Sequence, residues 1–300
     1  MKGKTKMERI TGSIVALITP FKEDGSVNYD VLAQLIDFHL ENETDALLIL
    51  GTTSESPTMS HEEDCEICKF TVDRVAGRIP VIASSGSNST DTVIEKSLML
   101  QDLGADAVLN ISPYYNKAND LGMYHHFADV ADAIEIPEII YNIPGRTGIN
   151  IKSSIIEELA QHDRIIGIKE ASGNMSYVAE IAHLANENFA IYSGNDDMIL
   201  PILSMGGSGV ISVVANMLPK ETHDMVMTYL NGDAAAATAE QLRLMPLIKD
   251  LFIEVNPIMI KEAMNIMGMN VGGYRRPLCN ATAEHVAHLR ESMRRAGIEC

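Results

Sequence analysis

The 300-residue sequence predicts an α/β fold, a (β/α)8 TIM barrel with a C-terminal helical appendage. Short apolar runs rich in β-branched residues recur eight times between residues 14 and 212. Amphipathic stretches with helical spacing separate these runs, which is typical of a parallel sheet covered by helices. After residue 232 the strand pattern stops and only helical patterns follow. Eight strand and helix units in succession favour a closed barrel.

The eight apolar runs are the predicted strands. In chain order they are Ile14–Ile18, Ala46–Leu50, Pro80–Ala83, Ala107–Ile111, Ile139–Tyr141, Ile165–Lys169, Ala190–Tyr192 and Gly209–Ser212. An open doubly wound sheet is the competing architecture, and it usually has a glycine-rich first turn that opens a helix. Here the first strand runs into Thr19-Pro20-Phe21 instead, so the barrel is preferred.

Three helices are predicted in the last part of the chain, over Ala234–Ile253, Ile258–Met267 and Ala281–Ala296. The segments Asn256-Pro257 and Gly272-Gly273 separate them. We therefore divide the chain into a catalytic barrel, residues 1–232, and a C-terminal helical region, residues 233–300. The second part is too small to need a catalytic site of its own.

Composition excludes several classes of partner. A net charge of −18 argues against nucleic acid, since binding to phosphates requires clustered Lys and Arg. No segment approaches the ~18 apolar residues of a membrane helix. Lys2, Lys4 and Lys6 precede the short apolar run of the first strand and superficially imitate a signal peptide, but no small-residue cleavage site follows. We expect a cytoplasmic protein.

No metal or organic cofactor is expected. Cys65 and Cys68 form a C-x-x-C pair, but they lie in a helical pattern that begins with the capping box of Ser60 and Glu63. A structural zinc site needs about four ligands, and the other two cysteines are remote in sequence. Reduced thiols on a helix are therefore the expected state.

The main candidate for chemistry is Lys169, which ends the apolar sixth strand. Apolar surroundings lower a lysine pKa, and the resulting neutral amine can attack a carbonyl to form a Schiff base. The alternative is a lysine that extends from the strand end to meet a carboxylate in solvent. This segment alone leaves both interpretations open.

The ends of the other strands favour the first interpretation, because chemistry in such barrels lies at the C-terminal strand ends. These ends carry hydroxyl, phenol and guanidinium groups, on Thr52, Thr53, Tyr114, Tyr115, Tyr141 and Arg146. Hydroxyls and phenols suit proton transfer beside an amine, and an arginine can bind a carboxylate with two parallel hydrogen bonds. Each group taken singly has a structural alternative, but together they predict one site.

From about Ile14 to Leu278 the chain resembles the pyruvate-dependent class I aldolase family. The matching segments are Gly51-Thr52-Thr53, Pro113-Tyr114-Tyr115-Asn116, Tyr141-Asn142 with Arg146-Thr147-Gly148, Gly167-Ile168-Lys169-Glu170-Ala171, Gly209-Val210-Ile211-Ser212 with Ala215-Asn216, and Asn256-Pro257. The resemblance implies that Lys169 forms the Schiff base with pyruvate and that Thr53 holds the pyruvate carboxylate. It also implies a proton relay of Thr52, Tyr115 and Tyr141, in which Tyr115 crosses a tight dimer interface. Arg146 would bind the carboxylate of L-aspartate 4-semialdehyde. Gly194 and Ile211 would line the pocket through their backbone.

The activity that the resemblance implies is the condensation of pyruvate with L-aspartate 4-semialdehyde to 4-hydroxy-tetrahydrodipicolinate, in lysine and diaminopimelate biosynthesis. It also implies a lyase without cofactor that forms a homo-oligomer, either a tight dimer or a homotetramer of two dimers. Ser54 and Ser84 stand where the family has glycine, and a change at the pocket rim leaves the aldehyde substrate open. The alternatives are another pyruvate-dependent aldolase or lyase, acting on N-acetylneuraminate or a keto-deoxy sugar acid, and a non-catalytic barrel that binds a small acid.

Inhibition by lysine is a separate question. In lysine-inhibited relatives the inhibitor site uses positions that match Ser56, His61, Asn88 and Tyr114, which this chain retains. It also uses a histidine where this chain has Asp64 and a carboxylate where it has Thr92. Because a buried ammonium needs a paired carboxylate, we predict weak or absent inhibition by lysine.

Overall fold

Eight parallel strands close into a barrel in the computed structural model, which describes residues 9–299. Each strand pairs with the next, and β8 pairs with β1. The strands are β1 Gly12–Ala16, β2 Ala46–Ile49, β3 Val81–Ser84, β4 Ala107–Ile111, β5 Glu138–Asn142, β6 Ile165–Glu170, β7 Ala190–Ser193 and β8 Gly209–Ser212. The predicted TIM barrel is confirmed, and every predicted strand overlaps the observed one. β1 ends before Ile18, because the Ile18 N–H donates to Asn216 Oδ1 (3.0 Å).

Helices follow the strands and form the outer layer. They are α1 Tyr29–Glu41, α2 His61–Val75, α3 Thr90–Asp102, α4 Asp120–Ala133, α5 Pro144–Thr147, α6 Ser153–Leu159, α7 Met175–Ile181, α8 Ile199–Ser204, α9 Pro219–Leu230, α10 Ala234–Leu251, α11 Ile258–Ile266 and α12 Ala283–Arg295. None of the helices within residues 9–299 combines the length and apolar character needed to cross a bilayer.

The closure between β1 and β8 depends on glycine. Gly209 pairs with Gly12 and has φ +158°. A Cβ on Gly209 would lie 2.0 Å from the Gly12 carbonyl oxygen, which is far inside van der Waals contact. A side chain at this position would force β1 and β8 apart, so glycine is required there.

A register shift between β5 and β6 determines which way Lys169 points. Glu138 pairs with Ile165, but the next pair is Ile139 with Gly167, so Ile166 is an extra residue in β6. Tyr141 is thereby paired with Lys169. Since adjacent strand residues alternate between faces, a one-residue shift exchanges the inward and outward sets. The shift places the Lys169 side chain on the inward face, beside Tyr141.

The C-terminal helices pack against the barrel. Helix α10 contacts α9 and α12, and α11 contacts α12. Leu244, Leu247 and Met259 belong to the same hydrophobic cluster as Val15 and Leu47 of the strands. A C-terminal helical part is therefore present, as predicted, whereas the division of the chain at residue 232 stays a prediction.

Helix α2 begins with the predicted capping box, in which Glu63 N donates to Ser60 Oγ and Ser60 N donates to the Glu63 carboxylate. Cys65 and Cys68 lie on this helix as free thiols, and Cys279 is also free. Burial raises the pKa of the Cys68 thiol to about 12. The interpretations placed on Lys2, Lys4, Lys6 and Cys300 concern residues outside 9–299.

Candidate active site

The C-terminal ends of the strands surround one cavity. The predicted site residues that line it are Thr52, Thr53, Tyr141, Arg146, Lys169 and Gly194. Tyr115 and Ile211 are not part of this lining. The cavity also includes Ser84, which was expected at the pocket rim, and residues that the sequence interpretation did not assign to the site, among them Asn195, Phe252 and Asn256.

The Lys169 amine is buried at the base of this cavity. The side chain is on β6, the residue is 6% exposed, and Nζ lies 4.5 Å from the centroid of the Tyr141 ring. Burial lowers the pKa of the Lys169 amine to about 8; the Asp196 carboxylate opposes this shift and the Arg146 guanidinium adds to it. A substantial fraction of the amine is therefore neutral near physiological pH and able to act as a nucleophile.

Two buried acids flank the lysine. Burial raises the pKa of the Tyr141 phenol, so that the hydroxyl keeps its proton at neutral pH and can donate it. Asp196 follows β7, and its Oδ2 accepts hydrogen bonds from Val213 N (3.1 Å) and Val214 N (2.9 Å). Burial also raises the pKa of Asp196. Asp196 lies four residues beyond the end of the predicted seventh strand, and this position was its only sign in the sequence.

The two threonines lie on the loop that follows β2. Thr53 is 4% exposed, and its Oγ1 accepts a hydrogen bond from Asn256 Nδ2 (2.9 Å). The next residue, Ser54, is also buried, and its hydroxyl donates to the Leu17 carbonyl (2.6 Å). Ser54 therefore ties the threonine loop to the end of β1 and does not line the cavity, whereas Ser84 does.

Gly194 provides space beside the lysine. A Cβ at this position would lie 2.7 Å from Ala171 Cβ and 3.1 Å from Lys169 Cγ. Any side chain here would displace the lysine stem or the turn after β6. The glycine therefore lets the end of β7 approach the reactive amine closely.

Arg146 lies at the mouth of the cavity. It belongs to the single-turn helix α5, directly after β5, and its side chain is exposed. Its Nη2 donates to the Asn256 carbonyl at 3.4 Å. The guanidinium is thus held at the entrance, where it can meet an anionic substrate.

Tyr115 points away from the cavity. It is 92% exposed, and its φ of +68° is a backbone conformation that non-glycine residues seldom adopt. Its neighbour Tyr114 lines the cavity instead. Ile211 is buried in the barrel interior, and Val213 lines the cavity in its place. Among residues 9–299, no hydrogen bond joins the hydroxyl groups of Thr52, Tyr115 and Tyr141, so the proton relay stays a prediction.

A second cavity adjoins the first. Its lining includes Ser56, His61, Asp64, Thr92 and Tyr114, which belong to the inhibitor positions considered above, together with Glu95 and Lys96. Asn88 is not in the lining, but its Nδ2 donates to the Tyr114 carbonyl (3.3 Å). Lys96 Nζ lies 2.7 Å from Asp64 Oδ2, so this chain supplies its own ammonium to the buried carboxylate.

A closed barrel with a partly neutral lysine amine and a phenol at its strand ends is the arrangement that a Schiff-base lyase of the class I aldolase type needs. Residues 9–296 match the Dihydrodipicolinate synthetase family, and the chain belongs to that family. It is 52% identical to the 4-hydroxy-tetrahydrodipicolinate synthase of Caldicellulosiruptor bescii over 292 residues, which cover 97% of this chain and 99% of that protein.

Solved structures agree with this assignment. The dihydrodipicolinate synthase of Aquifex aeolicus is 42% identical, with a TM-score of 0.93 over 96% of this chain and 98% of that one. The chloride-inhibited enzyme of Acinetobacter baumannii, solved in complex with pyruvate, is 37% identical, with a TM-score of 0.94 over 97% of this chain and 100% of that one.

Proposed function

We propose that the chain condenses pyruvate with L-aspartate 4-semialdehyde to 4-hydroxy-tetrahydrodipicolinate, a step of lysine and diaminopimelate biosynthesis. The observation that carries the proposal is the Lys169 amine, buried in the cavity 4.5 Å from the Tyr141 ring with its pKa lowered to about 8. The names of the relatives and the pyruvate complex of the Acinetobacter baumannii enzyme support the choice of substrates.

The cavity has donors for two carboxylates. Thr53 lies inside it, on the loop after β2. In this proposal its hydroxyl binds the carboxylate of pyruvate while the ketone faces Lys169. Arg146 lies at its mouth and binds the carboxylate of the semialdehyde, since a guanidinium can make two parallel hydrogen bonds to a carboxylate. The backbone around Gly194 completes the wall beside the lysine.

The reaction follows from these groups. Neutral Lys169 attacks the ketone carbon of pyruvate, and Tyr141 donates a proton as water leaves and the imine forms. The protonated imine withdraws electrons, so a methyl proton is lost and an enamine results. The enamine carbon attacks the aldehyde carbon, which forms the new carbon–carbon bond. The amino group of the second substrate then attacks the imine carbon, closes the ring and releases Lys169.

Proton transfer requires a second subunit in this proposal. Tyr115 is almost fully exposed at the tip of the loop after β4, and it would reach the site of a partner to complete the relay with Thr52 and Tyr141. We therefore propose a tight homodimer, with two dimers forming a homotetramer. The free thiols of Cys65 and Cys279 favour a reducing compartment, and we propose the cytoplasm.

The alternatives receive less support. Of the two departures from the family pattern, Ser54 donates to the Leu17 carbonyl and does not line the cavity, whereas Ser84 lines it. The relatives give no support to a lyase for N-acetylneuraminate or keto-deoxy sugar acids. A non-catalytic barrel that binds a small acid predicts no covalent adduct, and this separates it from the enzyme.

The test is reduction of the protein with borohydride in the presence of pyruvate, followed by peptide mapping. We expect the added mass on Lys169. Lys261 is an internal control, because burial also lowers its pKa to about 8 but it is paired with Glu55 and lies outside the cavity lining. An unmodified Lys169 overturns the proposal. A coupled assay that compares L-aspartate 4-semialdehyde with N-acetylmannosamine and glyceraldehyde then identifies the aldehyde.

A further inference from the structure

Asn256 connects the C-terminal helical region to the cavity. It lies between α10 and α11, is 8% exposed and lines the cavity. Its side-chain Nδ2 donates to Thr53 Oγ1 (2.9 Å), and its main-chain carbonyl accepts from Arg146 Nη2 (3.4 Å). Its Oδ1 is buried and has no hydrogen-bond partner within residues 9–299.

In the hydrogen bond between Asn256 and Thr53 the amide is the donor, and this determines what the Thr53 hydroxyl can still do. A threonine hydroxyl has one hydrogen to donate and can accept at its lone pairs. Because Thr53 Oγ1 accepts from the Asn256 amide, its own hydrogen is left for another acceptor. No residue in the described range accepts that hydrogen, and Thr53 lines the cavity. The hydroxyl is therefore available as a donor to a bound molecule.

We propose that Asn256 is a positioning residue, which makes the Thr53 hydroxyl a hydrogen-bond donor for the pyruvate carboxylate. A carboxylate accepts hydrogen bonds and donates none. The Thr53 hydroxyl therefore attracts the substrate carboxylate if its hydrogen points into the cavity, and repels it if its oxygen lone pairs do. This inference rests on the proposed function. Asn256 acts through Thr53, and its main-chain carbonyl holds Arg146 independently of the side chain.

The test compares the variants Asn256→Asp and Asn256→Ala. The aspartate has nearly the same shape but can only accept, so the Thr53 hydrogen turns toward it and away from the substrate. We expect KM for pyruvate to rise about ten- to hundred-fold, the size of one hydrogen bond to a charged group. Asn256→Ala should raise it less, since Thr53 remains free to rotate. KM for the aldehyde should change less than about two-fold, because the main-chain carbonyl remains for Arg146.

A double-mutant cycle separates this role from general damage to the fold. Thr53→Val removes the hydroxyl, and adding Asn256→Ala to it should raise KM for pyruvate no further, since the two residues act through one bond. Asn265→Ala is the matched control: Asn265 lies in the same region and its Nδ2 donates to the Gly272 carbonyl (2.9 Å), away from the cavity. It should leave both KM values unchanged.

The inference is overturned if the effects of Thr53→Val and Asn256→Ala on the pyruvate KM are additive. It is also overturned if Asn256→Asp and Asn256→Ala both leave the pyruvate KM within about two-fold of the value for the natural protein. If folding limits a variant in turnover assays, the concentration of pyruvate that half-saturates borohydride trapping is measured on its folded fraction. The proposed function fails by a different result, namely the absence of a trapped adduct in the natural protein. The two failures are therefore distinguishable.

Discussion

The buried ion pair between Lys261 and Glu55 ties the loop after β2, which carries Thr52 and Thr53, to the C-terminal helices. Lys261 Nζ lies 2.7 Å from Glu55 Oε1, and the two side chains are 0% and 1% exposed. Lys261 also donates to the Gly273 carbonyl (2.6 Å), and Glu55 accepts from Arg275 N (2.9 Å). Glu55 follows Thr53 by two residues, so the pair holds one end of the loop that carries the Thr53 hydroxyl.

Replacing Lys261 with methionine removes the ammonium but keeps a side chain of similar length. The Glu55 carboxylate then stays buried without its counter-charge, and only the Arg275 N–H remains as a partner. Removing one member of a buried pair costs about 3–5 kcal/mol, because the remaining charge is neither hydrated nor neutralised. We expect Lys261→Met to lower the free energy of unfolding by this amount. Pyruvate binding should also weaken, because the loop loses its attachment.

The assay is urea unfolding at constant protein concentration, followed by far-ultraviolet circular dichroism because the chain has no tryptophan. Lys69→Met is the control, since the pair of Lys69 and Asp73 is 65% and 64% exposed and should contribute less than about 1 kcal/mol. The double variant Glu55→Gln with Lys261→Met should recover most of the loss, since no buried charge remains. The reasoning is refuted if Lys261→Met costs no more than Lys69→Met.

Three further predictions concern titration and inhibition. The rate of imine formation with pyruvate should rise with pH and reach half of its maximum near pH 8, because the neutral Lys169 amine is the nucleophile; a flat profile would contradict this. Burial raises the pKa of Glu138 to about 8, so the Glu138 carboxyl of the folded protein keeps a proton that the unfolded chain loses near pH 4.5. The free energy of unfolding should therefore fall as the pH rises between these two values. Glu138→Gln should flatten that dependence in thermal melts. Lysine should inhibit weakly, because Lys96 already pairs with Asp64; potent inhibition in a titration would show the opposite.

Much of the fold was predictable because its signals are local. The apolar runs identified every strand of the barrel, and Ser60 with Glu63 identified the start of α2. These features depend on neighbouring residues only, through the spacing of apolar side chains and through hydrogen bonds within one helical turn. The strand-end rule for barrels then brought Lys169, Tyr141 and the threonines to one place.

Residues that enter the site from a distance were missed. Asn256 contacts Thr53 across 203 positions of sequence, and no local pattern marks such a contact. The position of Asp196 after a strand was only a weak indication that it lies near Lys169, because acidic residues after strands are common on protein surfaces. Tyr115 was placed in the site by resemblance, yet within one chain it points into solvent, since its proposed partner is another subunit.

The sequence by itself determined the eight-strand barrel, the capped start of α2 and the position of Lys169 at a strand end, because periodicity and capping are properties of short segments. The tertiary structure alone decided that Lys169 faces inward. The extra residue Ile166 shifts the register of β6 against β5, and a shift of one residue exchanges the two faces of a strand. Strand pairing joins residues that are remote in the chain, so the burial that lowers the Lys169 pKa exists only once the barrel is closed.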